Sequence, residues 1–325
     1  MRELLKKNNR IIVNTDIDGV LSAFVLCKYC GCEIVGFSNS SECVWWRKDK
    51  ISSIYDAVYI DMYVPRKDVL TIDQHIIAYD RDTLATIASY GTKVNPNIDN
   101  PRTFLPNSSY YLKYPFGTIH YILSLLGQES VDVSLDLLKK VSDTHGCQLR
   151  VADFILRADD AMTTSLYSNY VDNARSWWQW LKVASSMSVN IVSLTDYLNQ
   201  CSTRRTDVYG KKEAIASYFK DGFGCDSPDG GFAHITDGNG KISERVVRYM
   251  SFFFSLLGGD SFATILDSVF AAKYEMSQGK AMRMYMTPQF ACELRDRGTI
   301  NGQEVFSYGY VRSSNRPANF SYTVM

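Results

Sequence analysis

Neither sign of charge prevails in this chain of 325 residues: Lys+Arg is 35, Asp+Glu is 35, and the formal net charge is zero. Gripping a long nucleic acid through its phosphates takes a basic face, so the balance argues against that class, although a local basic channel remains compatible with it. Long apolar runs are missing too. Residues 251–257 are apolar but far too few to span a bilayer, so no membrane is expected as a partner. The first nine residues, Met-Arg-Glu-Leu-Leu-Lys-Lys-Asn-Asn, lack the apolar core of a secretion signal and predict one short helix ending at the asparagines. There is no internal repeat and no low-complexity tract. The 8 cysteines follow no regular spacing, which predicts reduced thiols and a cytoplasmic location. Cys27, Cys30, Cys32 and Cys43 form the one cluster; packing around Gly31 accounts for them better than a zinc site, which needs a second pair at matching spacing.

What is present is a globular composition, 46% hydrophobic and 22% charged, in a chain long enough for two domains. The most informative stretch is residues 10–19, Arg-Ile-Ile-Val-Asn-Thr-Asp-Ile-Asp-Gly. Its apolar half reads as a short buried strand and its polar half as a sharp turn. Asp16 and Asp18 stand one residue apart in that turn. Carboxylates so close repel unless something positive lies between them, and a divalent cation in oxygen ligands is the usual remedy.

Helical periodicity follows over residues 20–29, with Gly31 as the stop. Strands are predicted at 33–37, at 57–60 closing on Asp61, and at 68–72 closing on Asp73-Gln74-His75. Trp45 and Trp46 with Arg47, Lys48 and Lys50 suggest a short amphipathic piece between them. This alternation predicts a mostly parallel, doubly wound α/β sheet, with Asp16, Asp18, Asp61, Asp73 and His75 all just past strand ends, the edge where ligands bind in such sheets. Residues 91–109, with three prolines, read as a long loop. Helices are predicted at 118–126, 135–141 and 151–158, and residues 167–200 are helical in composition. Beyond Cys201 the texture changes: a Gly/Asp-rich loop at 221–240, a buried helix at 244–257, and strands at 281–285 and 304–312. The expected organisation is residues 1–165 as a metal-binding domain, 166–200 as a helical linker, and 201–325 as a smaller α+β domain that closes over the substrate.

The ordered set Asp16-Ile-Asp18-Gly19, Asp61 after an apolar strand, Asp73-Gln74-His75 and a later Asp143-Thr144 resembles the DHH phosphoesterase superfamily. That superfamily takes in RecJ-type exonucleases, oligonucleotide and cyclic-dinucleotide phosphodiesterases, and manganese-dependent pyrophosphatases. The resemblance covers residues 10–165. It implies a DHH-type fold and a two-manganese site, with Asp16 and Asp18 each holding one metal and Asp61 bridging both. Asp143, with Asp159 or Asp160 as the alternative, would supply the fourth-motif acid. The third motif departs from Asp-His-His: Gln74 stands where the first histidine is a ligand, and an amide oxygen is the weaker donor for manganese. The second metal is then held loosely, or one ion and a water serve. His75 matches the histidine that faces the scissile phosphate, so the resemblance makes His75 and Asp73 the catalytic pair. Asn14 stands where RecJ-type members often carry a further metal-binding side chain.

The activity so implied is hydrolysis of phosphodiesters by metal-activated water, with Mn²⁺, one ion or two, or Mg²⁺ as cofactor. A neutral chain favours a small nucleotide, a cyclic dinucleotide or a short oligonucleotide as substrate. The alternatives are a degenerate nucleotide-binding relative, which Gln74 favours, and a RecJ-type single-strand exonuclease. A homodimer is left open. Simpler roles compete at each position. The acids could be helix caps or turn residues, and His75 an ordinary hydrogen-bonded histidine. For His120, beside an apolar helical stripe, packing leads; His145 is as readily a turn residue as a site residue. Trp177, Trp178 and Trp180 could stack bases, but joining a helix to its neighbour is the better account. Asp229-Gly-Gly-Phe-Ala-His234 faintly resembles the glycine-rich, histidine-bearing loop of DHH accessory domains, yet lacks the glycine run, and an ordinary loop is the better reading.

Overall fold

The apolar run at the start of the chain forms β1 (Arg10–Asn14), and its residues after Arg10 are buried on both faces. Ile11 and Val13 join one core cluster and Ile12 another, so the strand lies inside a sheet covered on both sides. A computed structural model describes residues 1–40, 42–105, 110–141, 148–158, 171–184, 189–202, 204–259, 263–311 and 319–325. β1 pairs in parallel with β2 (Glu33–Ser38) on one side. Beyond β2 lies β3 (Cys43–Trp46), antiparallel. On the other side β1 pairs in parallel with β4 (Val58–Ile60), followed by β5 (Thr71–Ile72) and β6 (Lys93–Val94). Trp45 and Trp46 therefore sit in a buried strand and not in an amphipathic piece, because residues 43–46 are all buried and no polar face remains.

The first crossover is the helix Ile17–Cys30, in which every residue from Ile17 to Cys27 is buried; Gly31 ends it at φ 68°. An all-round buried helix needs partners on several sides. Here they are the sheet and the helices Thr118–Gln128, Val151–Arg157 and Glu244–Gly258. Cys27, Cys32 and Cys43 are buried around this helix and its strands. Burial pushes the Cys30 thiol up to about 11 and that of Cys32 to about 12, which keeps both protonated.

The helix expected at 135–141 is absent. Val133, Leu135 and Leu137 face the core while Ser134, Asp136 and Leu138 are exposed, a period of two that an extended chain satisfies and a helix does not. The Asn190 side chain accepts from the Val133 amide at 2.6 Å, and the segment ends in β7 (Lys140–Val141), paired with β8 (Leu149–Arg150). The helices Val171–Ala184 and Val189–Gln200 bury Trp177, Leu181, Ile191 and Leu194 against Thr118–Gln128. Trp178 stands 4.9 Å from Phe116 and Trp177 5.3 Å from Tyr114, so these two indoles pack their helix against the segment that leads into Thr118–Gln128.

Residues 201–325 contribute to two sheets. β9 (Glu275–Gln278) is the edge strand beside β3, completing a seven-stranded, mostly parallel sheet in the order β6-β5-β4-β1-β2-β3-β9. Gly279 alone separates it from β10 (Lys280–Met284). With β11 (Thr299–Ile300), β12 (Gln303–Tyr310) and β13 (Phe320–Val324), β10 forms a four-stranded antiparallel sheet. This smaller sheet is tied to the segment that follows β5, where Tyr310 donates its amide to the Ile76 carbonyl at 2.9 Å. Among the described residues no helix is long and apolar enough to cross a membrane.

Candidate functional site at the ends of the parallel strands

The chain leaves β1 towards β2 on one side and returns as β4 on the other, so the C-terminal ends of β1 and β4 flank the point where strand order reverses, where open α/β sheets form a crevice. Asp16 stands at that point as the N-cap of its helix, its Oδ1 accepting from the Gly19 amide at 3.0 Å. Gly19 is required by close approach: a Cβ there would lie 2.2 Å from the Asn14 carbonyl oxygen. Across the crevice Asp61 follows β4 at φ 60°, a left-handed conformation that aspartate tolerates better than most residues. Asn14 Nδ2 donates to Asp16 Oδ2 at 2.7 Å and to Asp61 Oδ2 at 2.9 Å. One amide group thus sits between two carboxylates.

Asp18 takes another direction. Its two oxygens accept the backbone N–H groups of Thr118 (2.7 Å) and Ile119 (2.8 Å), capping a helix that begins 100 residues later. The fit is close enough that a Cβ on Gly117 would lie 2.8 Å from the Asp18 carboxylate. Thr118 also donates its hydroxyl to Asp61 Oδ1 at 2.9 Å. Thr118 escaped notice in the sequence; its only signal was the Gly-Thr pair at a helix start.

On the next strand end Asp73 is fully buried. Its Oδ1 accepts from the His75 amide at 2.8 Å and lies 3.2 Å from His75 Nδ1, fixing the ring; its Oδ2 has no hydrogen-bond partner. Gln74 is buried with its Oε1 unpartnered, while Asn97 holds the Gln74 carbonyl at 2.8 Å. The His75 side chain is 38% exposed and borders a cavity of about 150 Å³ between the strand ends and the small sheet, lined by Asp61, Tyr63, Ser307, Tyr308 and Thr323 among others. Asp143, Asp159, Asp160 and His145 lie outside the described residues.

The loop carrying Asp229 and His234 forms a wall of the same crevice. The Asp229 carbonyl accepts from the Ile17 amide at 2.9 Å, Phe232 donates its amide to Thr15 Oγ1 at 3.2 Å, and Gly231 lies against Asp16. The buried Arg157 guanidinium pairs with the Asp229 carboxylate and donates to the Pro228 carbonyl. His120 packs between Phe116 and Trp178, and its Nδ1 accepts from the Gly117 amide at 3.1 Å.

Asp16, Asp61, Asp73 and His75 thus share one rim, and Asp18 is given over to a helix terminus. Among the described residues no three His, Cys, Asp or Glu side chains converge tightly enough to hold a metal by themselves. The two carboxylates facing Asn14 are a donor set of the kind Mg²⁺ and Mn²⁺ use, one or two carboxylates with water and substrate phosphate completing the shell. Two carboxylates suit one hard cation, and Asp73 is not brought into a group of three with them. No family model, curated protein or solved structure matches the chain.

Proposed function

We propose that the chain is a DHH-type, divalent-metal-dependent phosphohydrolase acting on small nucleotides, cyclic dinucleotides or short oligonucleotides. The observation that carries this reading is the meeting of the Asp16 and Asp61 carboxylates at the strand-order reversal, with His75 on the neighbouring strand end beside a cavity. Two further features support it. The N-termini of the helices Ile17–Cys30 and Thr118–Gln128 are already capped by Asp16 and Asp18, so substrate charge falls to a cation there. And about 150 Å³ suits a phosphate and its immediate neighbours, not a long strand.

A cation held by Asp16 and Asp61 would supply an acidified water and charge neutralisation at the phosphate. The chain's own residues do the rest. Asp73 orients the His75 ring through Nδ1, and the ring would hydrogen-bond a phosphate oxygen or protonate the leaving group. Ser307 and Thr323 line the cavity beside it. The test is hydrolysis of bis-p-nitrophenyl phosphate with Mn²⁺ by the wild type and Asp61→Ala. We expect the variant to lose at least about 100-fold in rate; equal rates would end the enzyme reading.

A second reading, nucleotide binding without cleavage, is favoured by Gln74, neutral and buried where a ligand is expected, and by the capping role of Asp18. Calorimetry separates the two: nucleotide binding with no Mn²⁺ uptake supports the binding protein.

A further inference from the structure

We infer that Gly309 is a specificity-determining residue: the side chain it lacks leaves the room beside His75 that an ester group of the substrate takes up. This rests on the phosphohydrolase reading of the same site. Gly309 lies inside β12, opposite Ser321 of β13, and both border the cavity that His75 borders. Its two neighbours in β12 fix the spacing. Tyr310 donates its amide to the Ile76 carbonyl at 2.9 Å, and Tyr308 its hydroxyl to the Ile77 carbonyl at 2.8 Å. The residue between them is therefore held at a set distance from the His75 ring.

Glycine weakens a strand interior, and where it stands in one, a second backbone or a ligand often comes close. Gly36 in β2 is the first case: a Cβ there would lie 2.5 Å from the Trp45 carbonyl oxygen. Gly309 is not. It has no positive φ, and a Cβ would meet nothing nearer than His75 Cδ2 at 3.6 Å, an ordinary van der Waals contact. The fold would accept alanine at this position, and valine is the better strand former. Neither backbone conformation nor packing calls for glycine, which leaves the space itself. Gly309 and His75 border the same cavity, so a longer side chain would take its volume out of about 150 Å³. Free phosphate has no ester group to place there; a nucleotide has.

The experiment compares the wild type with Gly309→Val and Gly309→Ala by thermal melts, and by calorimetric titration with inorganic phosphate and with thymidine monophosphate, Mn²⁺ present throughout. Gly309→Val should melt within about 3 °C of the wild type. It should hold phosphate within about threefold of the wild type and the nucleotide at least about tenfold more weakly. Its loss in hydrolysis of bis-p-nitrophenyl phosphate should fall mostly on KM, and Gly309→Ala should lie between. A glycine needed only by the fold would lower the melting point and weaken both ligands alike. That result overturns the proposal, as does an unchanged affinity for the nucleotide. Should Gly309→Val not fold, Gly309→Ala decides: weakening of the nucleotide alone supports the proposal, and any other result overturns it. A wild type that binds neither ligand and hydrolyses no phosphodiester brings down the underlying reading instead. A wild type that hydrolyses the diester, with Gly309→Val discriminating between the two ligands no differently, brings down the Gly309 proposal alone.

Discussion

At the scale of single residues, His120 shows what burial does to a proton. Its ring is fully buried between Phe116 and Trp178, and burial is the main reason its pKa falls to about 4. The folded state therefore keeps His120 neutral where the unfolded chain, near 6.5, begins to protonate. With more protons on the unfolded side, stability falls as pH drops through 6.5 towards 4 and is fully present above 6.5. Between pH 7 and pH 5 the loss from this group should be on the order of 2 kcal/mol. Urea unfolding at the two pH values measures it, and His120→Asn, which keeps a side-chain acceptor without the titration, should flatten the dependence over that window. An unchanged slope in the variant would mean that His120 is protonated in the native protein.

At the scale of elements, the question is which acids hold helices and which face the crevice. Asp18 holds the helix Thr118–Gln128, so Asp18→Ala should cost what a lost cap costs, about 1–2 kcal/mol, seen as a melting point lowered by roughly 2–6 °C. Mn²⁺ affinity should barely change; a large loss of Mn²⁺ uptake with an unchanged melting point would make Asp18 a ligand instead. This division of labour was not legible in the sequence. Asp16 and Asp18 look alike there, and the backbone amides that claim Asp18 lie 100 residues away. What could be read was local: the apolar run of β1, the stop at Gly31, the helix Glu244–Gly258, and the acids just past strand ends, because period, glycine and strand boundary are written within a few residues. Residues 135–141 were misread because Leu135, Leu137 and Leu138 satisfy a helical stripe on paper, while in the protein Leu138 is 51% exposed. β3 was missed for a related reason: the charges after Trp46 suggested a polar face, yet they fall beyond the strand.

For the whole molecule, the pattern of the sequence suggests a break near residue 200, but the packing runs across it. The helix Glu244–Gly258 buries Val246, Tyr249, Met250, Phe253, Phe254 and Leu257, with Phe254 meeting Phe24 edge-on at 5.3 Å and Phe253 meeting Phe154 at 5.5 Å. β9 pairs with β3 over four residues, and the loop at Asp229 caps the Ile17 amide beside Asp16. At about 2 kcal/mol per large apolar side chain, the six buried residues of that helix alone contribute on the order of 10 kcal/mol. That is as large as the net stability of a typical domain, about 5–15 kcal/mol. A fragment of residues 1–200 would leave the helix Ile17–Cys30 open to water along the face it now presents to Glu244–Gly258, and would expose β3 as an edge. We expect such a fragment to show no cooperative thermal transition and to lose its near-ultraviolet circular dichroism, while residues 1–325 show both. If the fragment instead melts cooperatively, the first 200 residues carry a sufficient core of their own, and the segment that walls Asp16 is an addition to the site, not part of what folds it.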